Sequence, residues 1–108
     1  MNETTTRTRS ITWEDPTETM KLGQTMSGLE YLRAMQTGKV PAPPIATLMN
    51  MWLVEVNEGR AVFAAEPAEY HYNPIGSVHG GLAATLLDSA LGCAIHSTLP
   101  KGIGYTTL

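Results

Sequence analysis

The apolar segment "GLAATLLDSALGCAIH" (residues 81–96) contains a single acid, Asp88, which is also the one formally charged side chain between Pro74 and Thr98. Burying an unpaired carboxylate is costly, so Asp88 is expected to face a cleft, a partner chain or water. Partial desolvation would raise its pKa towards the range that suits a general base. The alternative interpretation is that Asp88 caps another backbone segment or pairs with a basic residue.

Two adjacent glycines, Gly80 and Gly81, stand at the start of this segment, where a helix is predicted to begin. The free backbone N–H groups and the dipole of a helix N-terminus favour a developing oxyanion, and glycine lets a substrate approach the backbone closely. The alternative is that the two glycines only allow the chain to pack tightly as it turns into the helix.

The spacing between these two features bears on how one site could contain both. Gly80 and Asp88 are eight residues apart, which is about 12 Å along a helix axis. An aspartate side chain cannot cover that distance. Two antiparallel helices of a two-fold dimer could bring Gly80 of one subunit to Asp88 of the other, so the spacing favours a site shared between subunits.

Other polar groups give weaker signals. Asn73 precedes a proline and is equally well explained by hydrogen bonds within its own loop. Cys93 and His96 are three residues apart and could neighbour each other on a helix, but a small buried thiol is favoured over a nucleophile. The three histidines have no metal-ligand spacing, so no metal is expected.

Length and composition set wider bounds. A chain of 108 residues with a net charge of -3 is expected to form one small domain. The sequence contains no run of basic residues of the kind that would indicate nucleic acid or an anionic membrane as a partner. No signal peptide or stretch of about 18 apolar residues is evident. A single cysteine excludes an internal disulfide, and a cytoplasmic location is the simplest expectation.

Local patterns predict the elements that position these groups. Residues 1–20 are expected to be a flexible tail, Ser27 to cap a helix over Gly28–Gln36, and the prolines of "GKVPAPPIA" to impose an extended connection. "TLMNMWLVEV" and "RAVFAAEP" predict a β-hairpin with its turn at 57–60. A helix is predicted from Gly80 to about Ser97, and "LPKGIGYTTL" is expected to turn and open a third strand.

The predicted helix at Gly80 is apolar nearly all round, which is typical of a surrounded helix. A curved antiparallel sheet would surround it, but a single hairpin would not, and a lone hairpin is marginally stable. We therefore expect an α+β fold that is incomplete in this chain, with further strands downstream of Leu108.

The segment "NPIGSVHGGLAATLLDSALGCA" resembles the motif region of the hotdog-fold acyl-CoA thioesterases, in particular their phenylacetate-pathway (PaaI-like) branch. The family pattern is an Asn, a His-Gly-Gly six residues later, and an acid nine residues after the His. Asn73, His79-Gly80-Gly81 and Asp88 match both spacings. "GIGYTTL" is similar to the start of the family's next strand. The resemblance covers residues 45–108 and places residues 21–108 in the N-terminal part of one hotdog domain.

The resemblance implies a long helix wrapped by a sheet, a homodimer or homotetramer, and hydrolysis of an aryl or medium-chain acyl-CoA to free acid and CoA without a cofactor. Asp88 would be the base or nucleophile. Asn73 would bind the thioester or place water, and His79 would orient the loop or bond the thioester carbonyl. Gly80 and Gly81 would contact the substrate, and Thr106 or Thr107 would help to hold the water. The alternatives are a hotdog dehydratase and a truncated, non-catalytic fragment that at most dimerises.

Overall fold

A computed structural model describes residues 5–108 of the chain as an α+β arrangement. In chain order its elements are α1 (Pro16–Gly23), α2 (Gly28–Gln36), α3 (Pro44–Leu48), β1 (Met51–Asn57), β2 (Arg60–Ala65), a short 3-10 helix (Glu69–His71) and α4 (Gly80–His96). One long helix against a two-stranded antiparallel sheet is compatible with part of a hotdog fold. The helix over 28–36, the hairpin and the helix starting at Gly80 are confirmed.

Helix α2 begins with the Ser27 cap that the sequence predicted. The Ser27 hydroxyl accepts from the Glu30 N–H at 3.2 Å, and the Glu30 carboxylate accepts from the Ser27 N–H at 3.0 Å. These bonds satisfy donors that have no partner inside the helix, and they lower the pKa of Glu30. The Gly28 N–H donates to the Leu99 carbonyl at 3.0 Å, which ties α2 to the chain after α4.

The hairpin contains a bulge that decides which side chains face the core. Met51 pairs with Ala65 and Leu53 with Phe63, but the register shifts between Leu53 and Glu55. One extra residue reverses the alternation of faces. As a result Val56 is buried, while Glu55 is exposed and pairs with Arg60 at 2.5 Å.

The core lies between α2, the hairpin and α4. Its buried apolar side chains include Leu32 on α2, Met51 and Val56 on β1, and Leu82 on α4. Ser97, also buried, accepts from the Gly59 N–H at 2.8 Å and so fixes the hairpin turn to the end of α4. This packing holds α4 in place from both ends.

Two short helices occur where the sequence did not predict them. The structure places α3 at Pro44, although the prolines were expected to exclude a helix. A proline at the first helical position lacks an N–H that would be unpaired there in any case. The predicted first strand consequently begins at Met51 rather than Thr47. Helix α1 overlaps the end of the expected tail, starting after an Asp15 cap, and buries none of its residues.

The expected tail and the expected third strand also differ from the structure. Residues 5–15 have no regular secondary structure, yet Arg9 donates to the Leu48 carbonyl at 3.0 Å and to Asn50 at 2.9 Å, and lies 4.0 Å from the centre of the Tyr70 ring. Residues 1–4 of that tail lie outside the described residues.

Residues 103–108 form no strand. Within residues 5–108, no helix has the length and apolar character that crossing a membrane requires.

Candidate functional site

Asp88 lies on α4 in the wall of a cavity of about 390 Å³. The cavity is bounded by α2, α3, the hairpin and α4, and its apolar walls include Leu32, Met51 and Phe63. A largely apolar pocket with a few polar groups, in this size range, is typical of small-molecule sites. Asp88 itself is exposed, so its carboxylate is open to solvent while it borders the cavity.

Four further polar side chains share the wall with Asp88, namely Gln36, Ser89, Cys93 and Tyr105. Burial raises the pKa of the Cys93 thiol to about 11, while the nearby Tyr105 hydroxyl lowers this pKa by less and the Asp88 charge raises it further. Burial also raises the pKa of the Tyr105 phenol, and the nearby Cys93 and Asp88 act in the same direction. At neutral pH the Cys93 thiol and the Tyr105 phenol are therefore protonated. Asp88 supplies the one carboxyl group among the residues that line the cavity.

The high pKa of Cys93 argues against its use as a nucleophile, because the thiolate is the reactive form. Among the described residues no hydrogen bond links Cys93 to His96. The His96 ring instead packs against Tyr31, at 5.9 Å between ring centres, and Tyr105, at 5.4 Å. Partial burial lowers the pKa of His96. Both residues are thus placed as packing groups.

The other candidate residues gather at the N-terminus of α4, about two turns from Asp88. His79 is the N-cap, and its Nδ1 accepts from the Gly81 N–H at 2.7 Å. The Gly81 donor is therefore already used, contrary to the expectation that both glycine N–H groups are free. The structure gives the Gly80 N–H no acceptor among the described residues. In neutral His79 the second nitrogen, Nε2, carries the proton and can donate.

Asn73 is occupied by its own loop. Its Oδ1 accepts from the Ile75 N–H at 3.1 Å and the Ser77 N–H at 3.0 Å, while its Nδ2 donates to the Ser77 hydroxyl at 3.0 Å. The loop is joined to the rest of the segment by a bridge between Tyr72 and Val78. Asn73 thus shapes the turn that leads to His79, as the alternative interpretation proposed.

Gly80 and Asp88 lie on the same exposed face of α4, separated by eight positions along the helix. That face also carries Ala84, Leu87, Leu91 and Ile95. At 100° per residue all six positions fall within about 100° of arc. Leu87, Leu91 and Ile95 are 63%, 65% and 53% exposed. The six residues define an apolar stripe with Gly80 near one end and Asp88 near its middle.

Thr106 and Thr107 are exposed and do not line the Asp88 cavity. Tyr105, one residue earlier, is the member of that segment at the cavity. The sequence analysis missed it, because a tyrosine in a terminal segment carries no local signal of what it will contact. Within residues 5–108 no group of three or more His, Cys, Asp or Glu side chains could hold a metal ion.

A Halobacterium salinarum protein described as a putative esterase is 61% identical to this chain over 28 residues. The match covers 26% of this chain and 18% of the length of that protein. No family model and no solved structure matches the chain.

Proposed function

We propose that the chain is part of a hydrolase of the hotdog class that cleaves acyl-CoA thioesters to free acid and CoA. The observation that carries the proposal is Asp88, an acid at the mouth of an apolar cavity of about 390 Å³, which is suited to an acyl group. The 28-residue similarity to a putative esterase supports hydrolysis at the coarser level of carbonyl chemistry. The motif of Asn73, His79, Gly80 and Asp88 supports the finer assignment to thioesters.

Thioester hydrolysis needs a base or nucleophile at the carbonyl carbon and donors at the carbonyl oxygen. With Asp88 as base, its carboxylate takes a proton from water while the water oxygen bonds to the carbon. The Gly80 N–H and His79 Nε2–H stabilise the resulting oxyanion. The intermediate then expels the CoA sulfur, which receives the proton from Asp88. With Asp88 as nucleophile, its carboxylate attacks the carbonyl carbon and expels CoA as the thiolate, which leaves an acyl anhydride. Water then cleaves the anhydride to the free acid and the Asp88 carboxylate, and the proton released is taken up by the CoA thiolate.

Asp88 and the hydrogen-bond donors at the N-terminus of α4 are proposed to come from two different subunits. In an antiparallel pair of α4 helices, Gly80 faces Asp88 of the other copy when the two-fold axis passes near residue 84, midway between them. Ala84 is exposed there, and its small side chain permits close approach of the helices. In this arrangement Leu87 would lie against the partner helix, whereas Leu91 and Ile95 would extend past its N-terminus. A homodimer is therefore the proposed active unit, with homotetramers as a further assembly of it.

A hydrolysis screen tests the function. Acyl-CoA thioesters with aryl, short and medium chains are compared with the corresponding oxygen esters, and Glu58→Gln serves as a matched control acid in the hairpin turn. We expect thioester hydrolysis that falls about 100-fold or more in Asp88→Asn and stays unchanged in the control. Equal turnover of Asp88→Asn and wild type would remove Asp88 from the mechanism. Hydrolysis of oxygen esters alone would reject the thioester assignment.

The two roles of Asp88 are separated by a single turnover in ¹⁸O-labelled water. A nucleophilic carboxylate takes up the label when the anhydride is cleaved at the Asp88 carbonyl, whereas a general base stays unlabelled. Mass spectrometry of the peptide containing Asp88 detects the label, and its presence establishes the nucleophilic role.

A further inference from the structure

A second cavity, of about 380 Å³, lies beside the Asp88 cavity. It is formed by α1, α2, the proline segment and residues 102–105, and its walls include Met20, Tyr31 and Ile103. The two cavities share four lining residues, Met35, Ala42, Pro43 and Tyr105. A wall of so few side chains separates spaces that together are roughly twice the volume of either.

Tyr105 is the largest side chain in this shared wall. Its ring lies directly on the backbone of α4, since a Cβ added to Gly92 would come within 2.6 Å of the Tyr105 hydroxyl. The missing side chain at Gly92 is therefore what lets the ring reach the wall. Tyr105 is nevertheless 41% exposed.

The backbone that carries Tyr105 is weakly held. Residues 103–108 form no helix or strand, and no backbone hydrogen bond made by residues 104–108 is found within the described part of the chain. Tyr105 is therefore kept in the wall mainly by side-chain contacts with Gly92, Cys93 and His96. Removing its ring should open the wall without breaking a secondary-structure element.

We propose that Tyr105 sets the length of the acyl chain that the Asp88 cavity accepts, and that the second cavity receives the distal methylenes of longer straight-chain acyl groups once the ring is absent. This inference rests on the proposed thioesterase function, which places the carbonyl of the acyl group at Asp88. With its carbonyl at Asp88, a straight chain in the intact protein is confined to the first cavity, because the Tyr105 ring in the shared wall closes the way into the second. Substrates of medium length are therefore the class that the intact wall favours.

The test compares butyryl-, octanoyl-, dodecanoyl- and palmitoyl-CoA with wild type, Tyr105→Ala and Tyr105→Phe. Tyr72→Ala is the matched control, because Tyr72 is exposed and lines neither cavity. Each newly buried methylene contributes about a fourfold gain, so two of them give about fifteenfold. We expect the kcat/KM ratio of palmitoyl- to octanoyl-CoA to rise at least tenfold in Tyr105→Ala and to stay unchanged in Tyr105→Phe and Tyr72→Ala.

A second substitution identifies the space that is used. Met20 lies on α1 in the wall of the second cavity, away from Asp88. Adding Met20→Trp to Tyr105→Ala should fill that cavity and cancel the gain for palmitoyl-CoA. Persistence of the gain in the double variant would place the chain elsewhere and overturn the proposal.

Calorimetric binding of octanoate and palmitate provides a readout that does not depend on hydrolysis. If wild type cleaves no thioester, the proposed function fails, but a selective gain in palmitate affinity of Tyr105→Ala still supports the length-setting role. If wild type is active and Tyr105→Ala keeps the same chain-length profile in both assays, Tyr105 is not the determinant. Circular dichroism verifies that each variant is folded, and Tyr105→Leu replaces Tyr105→Ala if the latter is not.

Discussion

The separation of Gly80 and Asp88 gives the most direct test of a site shared between subunits. Gly80→Leu introduces a side chain where an added Cβ meets no atom within 4 Å, so the variant should fold while the side chain obstructs the face of α4. Asp88→Asn removes the acid at almost constant volume. Each variant alone is expected to lose nearly all activity.

Mixing the two inactive chains makes the quantitative prediction. In a mixed dimer one site carries both lesions, and the other combines Gly80 of one chain with Asp88 of its partner, both intact. Random exchange at equal concentrations puts half of the chains in mixed dimers, each with one working site. We therefore expect recovery to about a quarter of wild-type activity. The ~12 Å along the helix is what excludes a site within one chain.

The assay measures thioester hydrolysis after dissociation and reassociation of tagged chains, with mixed dimers isolated through two different tags. Each parent subjected to the same treatment is the control. Mixed dimers that form but remain inactive would refute the shared site, because both lesions would then act within each subunit. Activity of unmixed Gly80→Leu near the wild-type level would show that Gly80 does not approach the substrate.

Three further predictions concern the fold around the site. Arg9→Ala removes the contacts of the N-terminal segment to the end of α3 and to Tyr70, and should lower the free energy of unfolding by about 1–3 kcal/mol in urea denaturation; no change would mean that the segment is not anchored there. Gly28→Ala places a Cβ 1.7 Å from the His96 carbonyl oxygen, so thermal melting should show a large loss of stability, and a wild-type melting temperature would contradict the packing of α2 on α4. Because the folded-state pKa of His96 lies below its unfolded value, stability should be fully present above about pH 6.5 and decline as pH falls through the folded pKa; a His96→Gln variant should lose this dependence, and an unchanged profile would assign it to another group.

The elements that the sequence predicted are those with local causes. Ser27 caps α2 through bonds to a residue three positions away, and the turn at 57–60 joins adjacent strands. The missed α1 and α3 also had local signals, in Asp15 before Pro16 and in the proline pair at the start of α3. Those prolines were interpreted only as helix breakers, although the first turn of a helix accepts proline.

What the sequence could not predict depends on contacts between distant residues. A strand needs a neighbour, and within the described residues no part of "GIGYTTL" pairs with the hairpin, while its Tyr105 lies against α4. Tyr105 reaches the cavity because Gly92 lacks a side chain, and no spacing rule links these two positions. For Asp88 the sequence predicted a cleft, a partner chain or water, and the structure places it at a cavity and open to solvent. The apolar wall of that cavity comes from α2 and the hairpin, which are 25 to 56 residues away.

The stripe on α4 is large enough to matter for association and too small to ensure it. Full burial of a Leu or Ile side chain contributes about 1.5–3 kcal/mol, and Leu87, Leu91 and Ile95 are each a little more than half exposed. A two-fold axis near residue 84 sets only Leu87 against the partner helix, and covering it in two copies would contribute roughly 2–4 kcal/mol. Association costs about 4–15 kcal/mol in lost freedom, so the helix pair alone falls short. A stable dimer must therefore draw on further surface, and the open edges of the two-stranded sheet are the described element that still has unpaired backbone groups to offer.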